Sequence, residues 1–313
     1  MEQAIGFKTN KAKAYAASVT ATVLFGFSFL FLKIALEQNG GHVFDVLSYR
    51  FLISIIGLCL LWATRVIRLD FKEKNLKSLL FMCLLNPVLY FTLEIAGVSR
   101  VASSEAGMML SVLPVVTILF GRILLHERIS VWQGVFIALS ICGILLIQVM
   151  SYRPGDSSNL GRLILLGAII AGSAYSVTSR KIARHFSPIE RTAAMTIVGG
   201  LTFTTLSWVN RLSAGTLRVY FENITRPGLL LPVLYLGLGC SLLAFFLLNY
   251  AVTHLEVSRT SVLANLATIV SIIAGAVFLN ETIRWYHLIG SAVIIAGVIG
   301  ANRMVPNRFG QAE

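Results

Sequence analysis

Val116, Gly121, Leu125, Glu127, Ile129, Ala138, Ile141 and Gly143 return at one fixed spacing of 154 residues, as Val270, Gly275, Leu279, Glu281, Ile283, Ala292, Ile295 and Gly297. Both sets fall on two apolar stretches broken by a short polar hinge, so the chain contains an internal duplication. Each copy holds five apolar stretches of membrane length. An odd number of crossings delivers a chain to the far side of a bilayer. The second copy must therefore enter from the opposite face, and the two halves are predicted to be inverted.

Hydrophobic residues make up 56% of the 313 and charged residues only 13%, with a mean hydropathy of +0.80. Lipid is then the expected solvent for most of the chain. Apolar runs at 14–36, 44–64, 76–97, 102–124 and 131–149 form the first copy, and those at 160–182, 189–210, 228–250, 257–279 and 285–303 the second. Each run is long enough to cross a bilayer as a helix. The expected fold is an all-α integral membrane protein of ten spans, with five-helix repeats at 14–149 and 160–303. The turn-rich stretch from Ser151 to Asn159 is the natural linker. Lys8, Lys11 and Lys13 precede an apolar run longer than that of a cleavable signal, so the first span is expected to stay in place.

A net charge of +12 does not point to nucleic acid, because the basic residues lie between apolar runs and never alternate with aromatics in a stripe. An anionic inner leaflet is the better counterpart. If the amino end is cytoplasmic, the loops on that side carry more than twice as many Lys and Arg as the opposite loops, with Arg191 counted inside and Arg211 outside. That bias predicts a cell-membrane protein with both termini in the cytoplasm. Cys59, Cys83, Cys142 and Cys240 sit singly in four runs, and the five histidines are scattered. No metal site and no cofactor are expected.

The run Ala102-Ser103-Ser104-Glu105-Ala106 leads to Leu113-Pro114-Val115-Val116-Thr117 and then to Leu125-His126-Glu127-Arg128-Ile129-Ser130, with Gly134 and Cys142-Gly143-Ile144-Leu145 beyond. Its counterpart runs from Ser258 through Leu279-Asn280-Glu281-Thr282-Ile283 to Ala296-Gly297-Val298. This pattern resembles the EamA-type module of the drug/metabolite transporter superfamily, twice over and across nearly the whole chain. The resemblance implies a secondary transporter that works by alternating access. In that fold spans 1, 3, 4, 6, 8 and 9 surround a central cavity while spans 5 and 10 act as scaffold. It also implies a small organic solute, amino-acid-like or drug-like and exported. Nucleotide sugars or other organic anions are the alternative. The second copy has Thr268 near the position of Pro114, so no proline kink is expected there.

Arg50 lies well inside span 2, where an arginine calls for a carboxylate or water as partner. Glu94 and Glu105, near the same face, are the candidates, and the three form an expected ionic cluster, either a gate that carries a coupling proton or a structural ion pair. Asn249 and Arg259, with His254, gather at the inverted corner, either as an inner gate or, for His254, as a solvated loop edge. Asn86 and Pro114 mark kinks near mid-membrane, where a proline frees a backbone carbonyl. Ser28, Phe29, Tyr90, Met108 and Ser111 from the first half, with Tyr175, Ser241, Phe245, Asn265 and Thr268 from the second, complete an apolar cavity with a few polar handles.

Lys33 and the Arg180-Lys181 pair read either as snorkelling cations or as lures for an anionic solute. Glu127 and Glu281 read as architecture, with Ser130 and Gln133 as a capping box. Ala296 with Gly300 and Gly297 with Ala301 permit close helix contact, inside the molecule or in a homodimer through spans 5 and 10. The chain lacks a G-x-x-x-x-G-K-[ST] loop and the H-E-x-x-H and G-x-S-x-G signatures, which argues against ATP hydrolysis and intramembrane catalysis. A receptor or scaffold that binds without flux is the competing class.

Overall fold

A computed structural model describes residues 2–303 apart from 73, 99, 101–108, 111, 128, 152–157 and 280–282. Among the described residues all regular structure is helical. In chain order the helices are α1 (Glu2–Gln38), α2 (Val43–Ala63), α3 (Leu76–Cys83), α4 (Tyr90–Val98), α5 (Leu113–Leu125), α6 (Val131–Ser151), α7 (Asn159–Ile182) and α8 (Pro188–Ser213). They continue as α9 (Leu217–Ile224), α10 (Pro227–Leu234), α11 (Phe245–His254), α12 (Val257–Ala264), α13 (Leu266–Leu279) and α14 (Trp285–Arg303). Two π-helical segments, Leu84–Leu89 and Tyr235–Ala244, join α3 to α4 and α10 to α11.

Among the described residues eight helical stretches are long and apolar enough to cross a membrane, while Leu113–Leu125 and Val131–Ile147 are shorter apolar helices. The first part of the expected fourth span and most of the expected linker lie outside the described residues. Large side chains such as Trp62, Leu163, Leu201 and Val277 point outward. That is the arrangement a lipid solvent selects, because the backbone is satisfied within each helix and apolar surface has no reason to hide.

The core is built on an antiparallel pair. Asp45 at the start of α2 meets Ser207 and Arg211 near the end of α8, Phe51 stacks on Phe203, and Leu58 shares a cluster with Ala193. Each end of α8 is held by charge, one to α2 and the other to the loop that follows α2. At one end the Asp45 carboxylate accepts from Arg211 Nε at 2.9 Å and Ser207 Oγ at 2.6 Å. At the other, Glu190 accepts from Lys74 Nζ at 2.8 Å and closes a capping box with Ser187. Arg191 and Arg211 are therefore not loop charges, as the charge count assumed. Both are buried, because α8 spans 26 residues and carries them inside its ends.

Scaffold contact depends on glycine. A Cβ on Gly297 would stand 2.5 Å from Ser140 N, and one on Gly143 would stand 2.7 Å from Gly290 O, so α6 and α14 touch backbone to backbone. Of the two small-residue pairs of α14, Gly297, Gly300 and Ala301 are buried, Gly300 against Phe136 of α6, while Ala296 is exposed. Ser130 Oγ accepts from Gln133 N at 3.0 Å, one half of the expected capping box. The Glu127 carboxylate accepts from Val257 N at 2.9 Å and Ser258 N at 3.3 Å, capping α12 from across the hinge. A negative charge there complements the positive end of the helix dipole.

The kinks fall at three places. Asn86, ahead of a cis peptide to Pro87, has the extended φ/ψ of −149°, 121°. The Tyr235–Ala244 segment has no proline of its own. The ninth span breaks at Asn265 although no proline marks it: Asn265 N bonds Val262 O and Thr268 N bonds Asn265 O, three residues apart instead of four. Such tightening interrupts an α-helix as a proline does.

Candidate functional site

Arg50 is 5% exposed, held by α2 in the middle of the bundle. Its Nε donates to Ser241 Oγ in the second π-helical segment at 2.5 Å. The guanidinium carbon lies 5.7 Å from the Phe51 ring centre and 5.2 Å from that of Phe91. Aromatic faces attract a cation and are more useful to it where water is scarce. Glu94, one turn beyond Tyr90 on α4, accepts from the Tyr90 hydroxyl at 3.0 Å. No direct ion pair joins it to Arg50 among the described residues; the two are linked through Phe91, which lies under the guanidinium and edge-on to the Tyr90 ring.

A guanidinium and a carboxyl group are thus each oriented by a neutral partner. Asn86 adds an acceptor: its Oδ1 is buried without a hydrogen-bond partner among the described residues. The kink that frees this group is packed by Pro87 against Gly199, where Phe51 also lies.

The second polar cluster centres on Asn249. Its Oδ1 accepts from Ser179 Oγ at 2.8 Å and Tyr175 Oη at 3.3 Å, and its Nδ2 donates to Thr192 Oγ1 at 3.1 Å. Arg191, fully buried, donates to Ser179 O at 2.9 Å, Asn249 O at 2.7 Å and Thr253 Oγ1. Its acceptors are carbonyls and hydroxyls near the C-terminal ends of α7 and α11. Those ends carry partial negative charge, which offsets the buried cation. Neither Ser179 nor Arg191 was expected from the sequence. The Ser187-Pro188-x-Glu190 capping signature would have placed Arg191 inside a helix.

Other expected residues fall elsewhere. Phe245 is buried edge-on to Phe25. Ser28 bonds its own helix at Phe25 O and Phe29 is 56% exposed. Pro114 is buried at the first turn of α5, Thr268 is half-buried, and Asn265 Nδ2 donates to Ser140 Oγ of the scaffold helix α6 at 2.9 Å. Arg259 joins Glu256 and the Tyr15 hydroxyl. Glu105, Met108 and Ser111 lie outside the described residues. No group of three or more His, Cys, Asp or Glu among the described residues is placed to hold a metal ion.

The model of the EamA-like transporter family matches residues 12–149 and again 159–303. An uncharacterized transporter of Bacillus subtilis is 34% identical over 296 residues, covering 94% of each chain. A Salmonella typhimurium protein named as a probable amino-acid metabolite efflux pump is 26% identical over 188 residues, 58% of this chain and 61% of that one. A solved crystal structure with 18% identity covers 93% of this chain and 99% of its own at a TM-score of 0.75, which extends the likeness of fold over nearly the whole molecule.

Proposed function

The chain belongs to the EamA-like transporter family and is a membrane transporter, and we propose that the solute it carries is a small amino-acid-like zwitterion, exported from the cell. The observation that carries this reading is the separated charge pair of Arg50 and Glu94. Phe91 stands between them, under the guanidinium and edge-on to Tyr90, and each is held by a neutral neighbour, Ser241 or Tyr90. A solute with a carboxylate and an ammonium completes both, the carboxylate on the Arg50 guanidinium and the ammonium on Glu94 and the free Asn86 oxygen. A bidentate guanidinium–carboxylate contact is among the stronger polar contacts a protein offers.

The working cycle in this proposal exposes the pair alternately to the two sides of the membrane. Ten spans form two inverted five-helix bundles around the chamber, both termini lie in the cytoplasm of a cell-membrane protein, and α6 with α14 stands aside as scaffold. The duplicated hinge and the two matched family segments support this arrangement. Glu94 is the candidate site for a coupling proton. A nucleotide sugar fits less well, since the cluster offers one guanidinium and an acid where a diphosphate needs several cations.

Sealed vesicles containing the purified protein test the reading. Loaded with labelled neutral amino acids, organic anions or nucleotide sugars, they should release the zwitterions fastest, and Arg50→Gln should abolish that release. Faster movement of the anionic solutes would transfer the reading to an organic-anion carrier, and binding without flux of any of them would make the protein a receptor.

A further inference from the structure

Beside the bundle, and away from Arg50, α5 and α6 leave a groove of about 330 Å³ open to the outside. Its walls are apolar: Val115 and Ile118 come from α5, Val131 and Ile137 from α6, and Gly134 leaves its floor without a side chain. Arg122 stands at one end, in the last turn of α5. Val115 lies seven residues below Arg122, about 10 Å at 1.5 Å per residue, so the apolar wall reaches roughly a third of the way through a ~30 Å hydrocarbon core.

Arg122 is exposed and forms no ion pair among the described residues. The acid nearest in sequence, Glu127, is committed elsewhere, since both its oxygens accept from the backbone at the start of α12. Among the described residues none supplies Arg122 with an anion, so its guanidinium is open to one from outside the chain. This end of α5 is level with the start of α12, where Arg259 meets Tyr15 near the start of the apolar part of α1, which is where a spanning helix meets the headgroup layer.

We propose that this groove is a binding site for one anionic phospholipid, with the phosphate on Arg122 and an acyl chain lying along Val115, Ile118 and Ile137 over Gly134. Charge and shape agree on this occupant. The cation is placed at headgroup depth, and the apolar channel runs from it toward the bilayer centre. A snorkelling arginine without such a channel would select a charge and not a chain.

Native mass spectrometry of the purified full chain, titrated with phosphatidylglycerol or phosphatidylcholine, reads the site directly. The wild type should retain one phosphatidylglycerol about fivefold more tightly than phosphatidylcholine, the ratio expected for one basic residue acting on an anionic lipid. Arg122→Ala should remove the preference and Arg122→Lys should keep most of it. Gly134→Leu should weaken both lipids equally; a Cβ there meets nothing within 4 Å, so the fold can accept it. The proposal is overturned if Arg122→Ala and Gly134→Leu bind both lipids as the wild type does. It is also overturned if millimolar inorganic phosphate displaces the lipid, which would make the site one for a soluble anion. Cross-linking of Val131→Cys between two copies in lipid-replete samples would show a second chain in the groove and overturn it as well.

Discussion

At the scale of single residues, the molecule buries two arginines in two different ways. Arg50 rests on aromatic rings and one serine near an acid it does not touch, and its buried position is suited to receiving a ligand. Arg191 is held through both terminal nitrogens by carbonyls and hydroxyls, with only its Nε buried without a partner among the described residues, and its position is structural. The account therefore predicts opposite phenotypes. Arg50→Gln should leave the thermal midpoint in detergent near that of the wild type while zwitterion transport falls to background. Arg191→Ala should lower the midpoint, at about 1–3 kcal/mol for each acceptor left unpaired, with transport lost only in proportion to folded protein. Glu94→Gln, read by pH-dependent flux, should flatten whatever pH profile the wild type shows. Arg50 was legible in the sequence because a charge deep in an apolar run is conspicuous. Asp45, Arg191 and Arg211 were not, because charges close to the end of a run look like loop charges until partners arrive from far away, as Asp45 does from 166 positions before Arg211.

At the scale of elements, the hinges between helices connect the two halves. Glu127 leaves the end of α5 and caps α12, so the first copy helps to start a helix of the second. Glu127→Ala should cost about 0.5–2 kcal/mol, the usual worth of a lost cap, seen as a lower unfolding temperature in detergent. Gly297→Leu should do more harm, since its side chain would enter the backbone of α6 at Ser140, and overpacking of this kind costs about 1–3 kcal/mol or more. The glycines of α14 and the kink at Asn86-Pro87 could be read from residue type alone. The break at Asn265 and the π-helical Tyr235–Ala244 stretch could not. Neither contains a proline, and both are held by tertiary contacts, Asn265 to Ser140 and Tyr235 to Leu24 O.

At the scale of the whole molecule, α2 and α8 run antiparallel, Asp45 of α2 pairing with Arg211 at one end while Glu190 at the other end of α8 pairs with Lys74 in the loop between α2 and α3. Each acid stands near the start of its helix. The central claim is that the two halves face opposite ways across the membrane. Single cysteines placed at Arg68, His185 and Ser158, after Cys59, Cys83, Cys142 and Cys240 are replaced, can be labelled with a membrane-impermeant thiol reagent in intact cells and in inverted vesicles. The account predicts that Ser158→Cys reacts only from outside the cell and that Arg68→Cys and His185→Cys react only from within. Labelling of all three from the same side would contradict it.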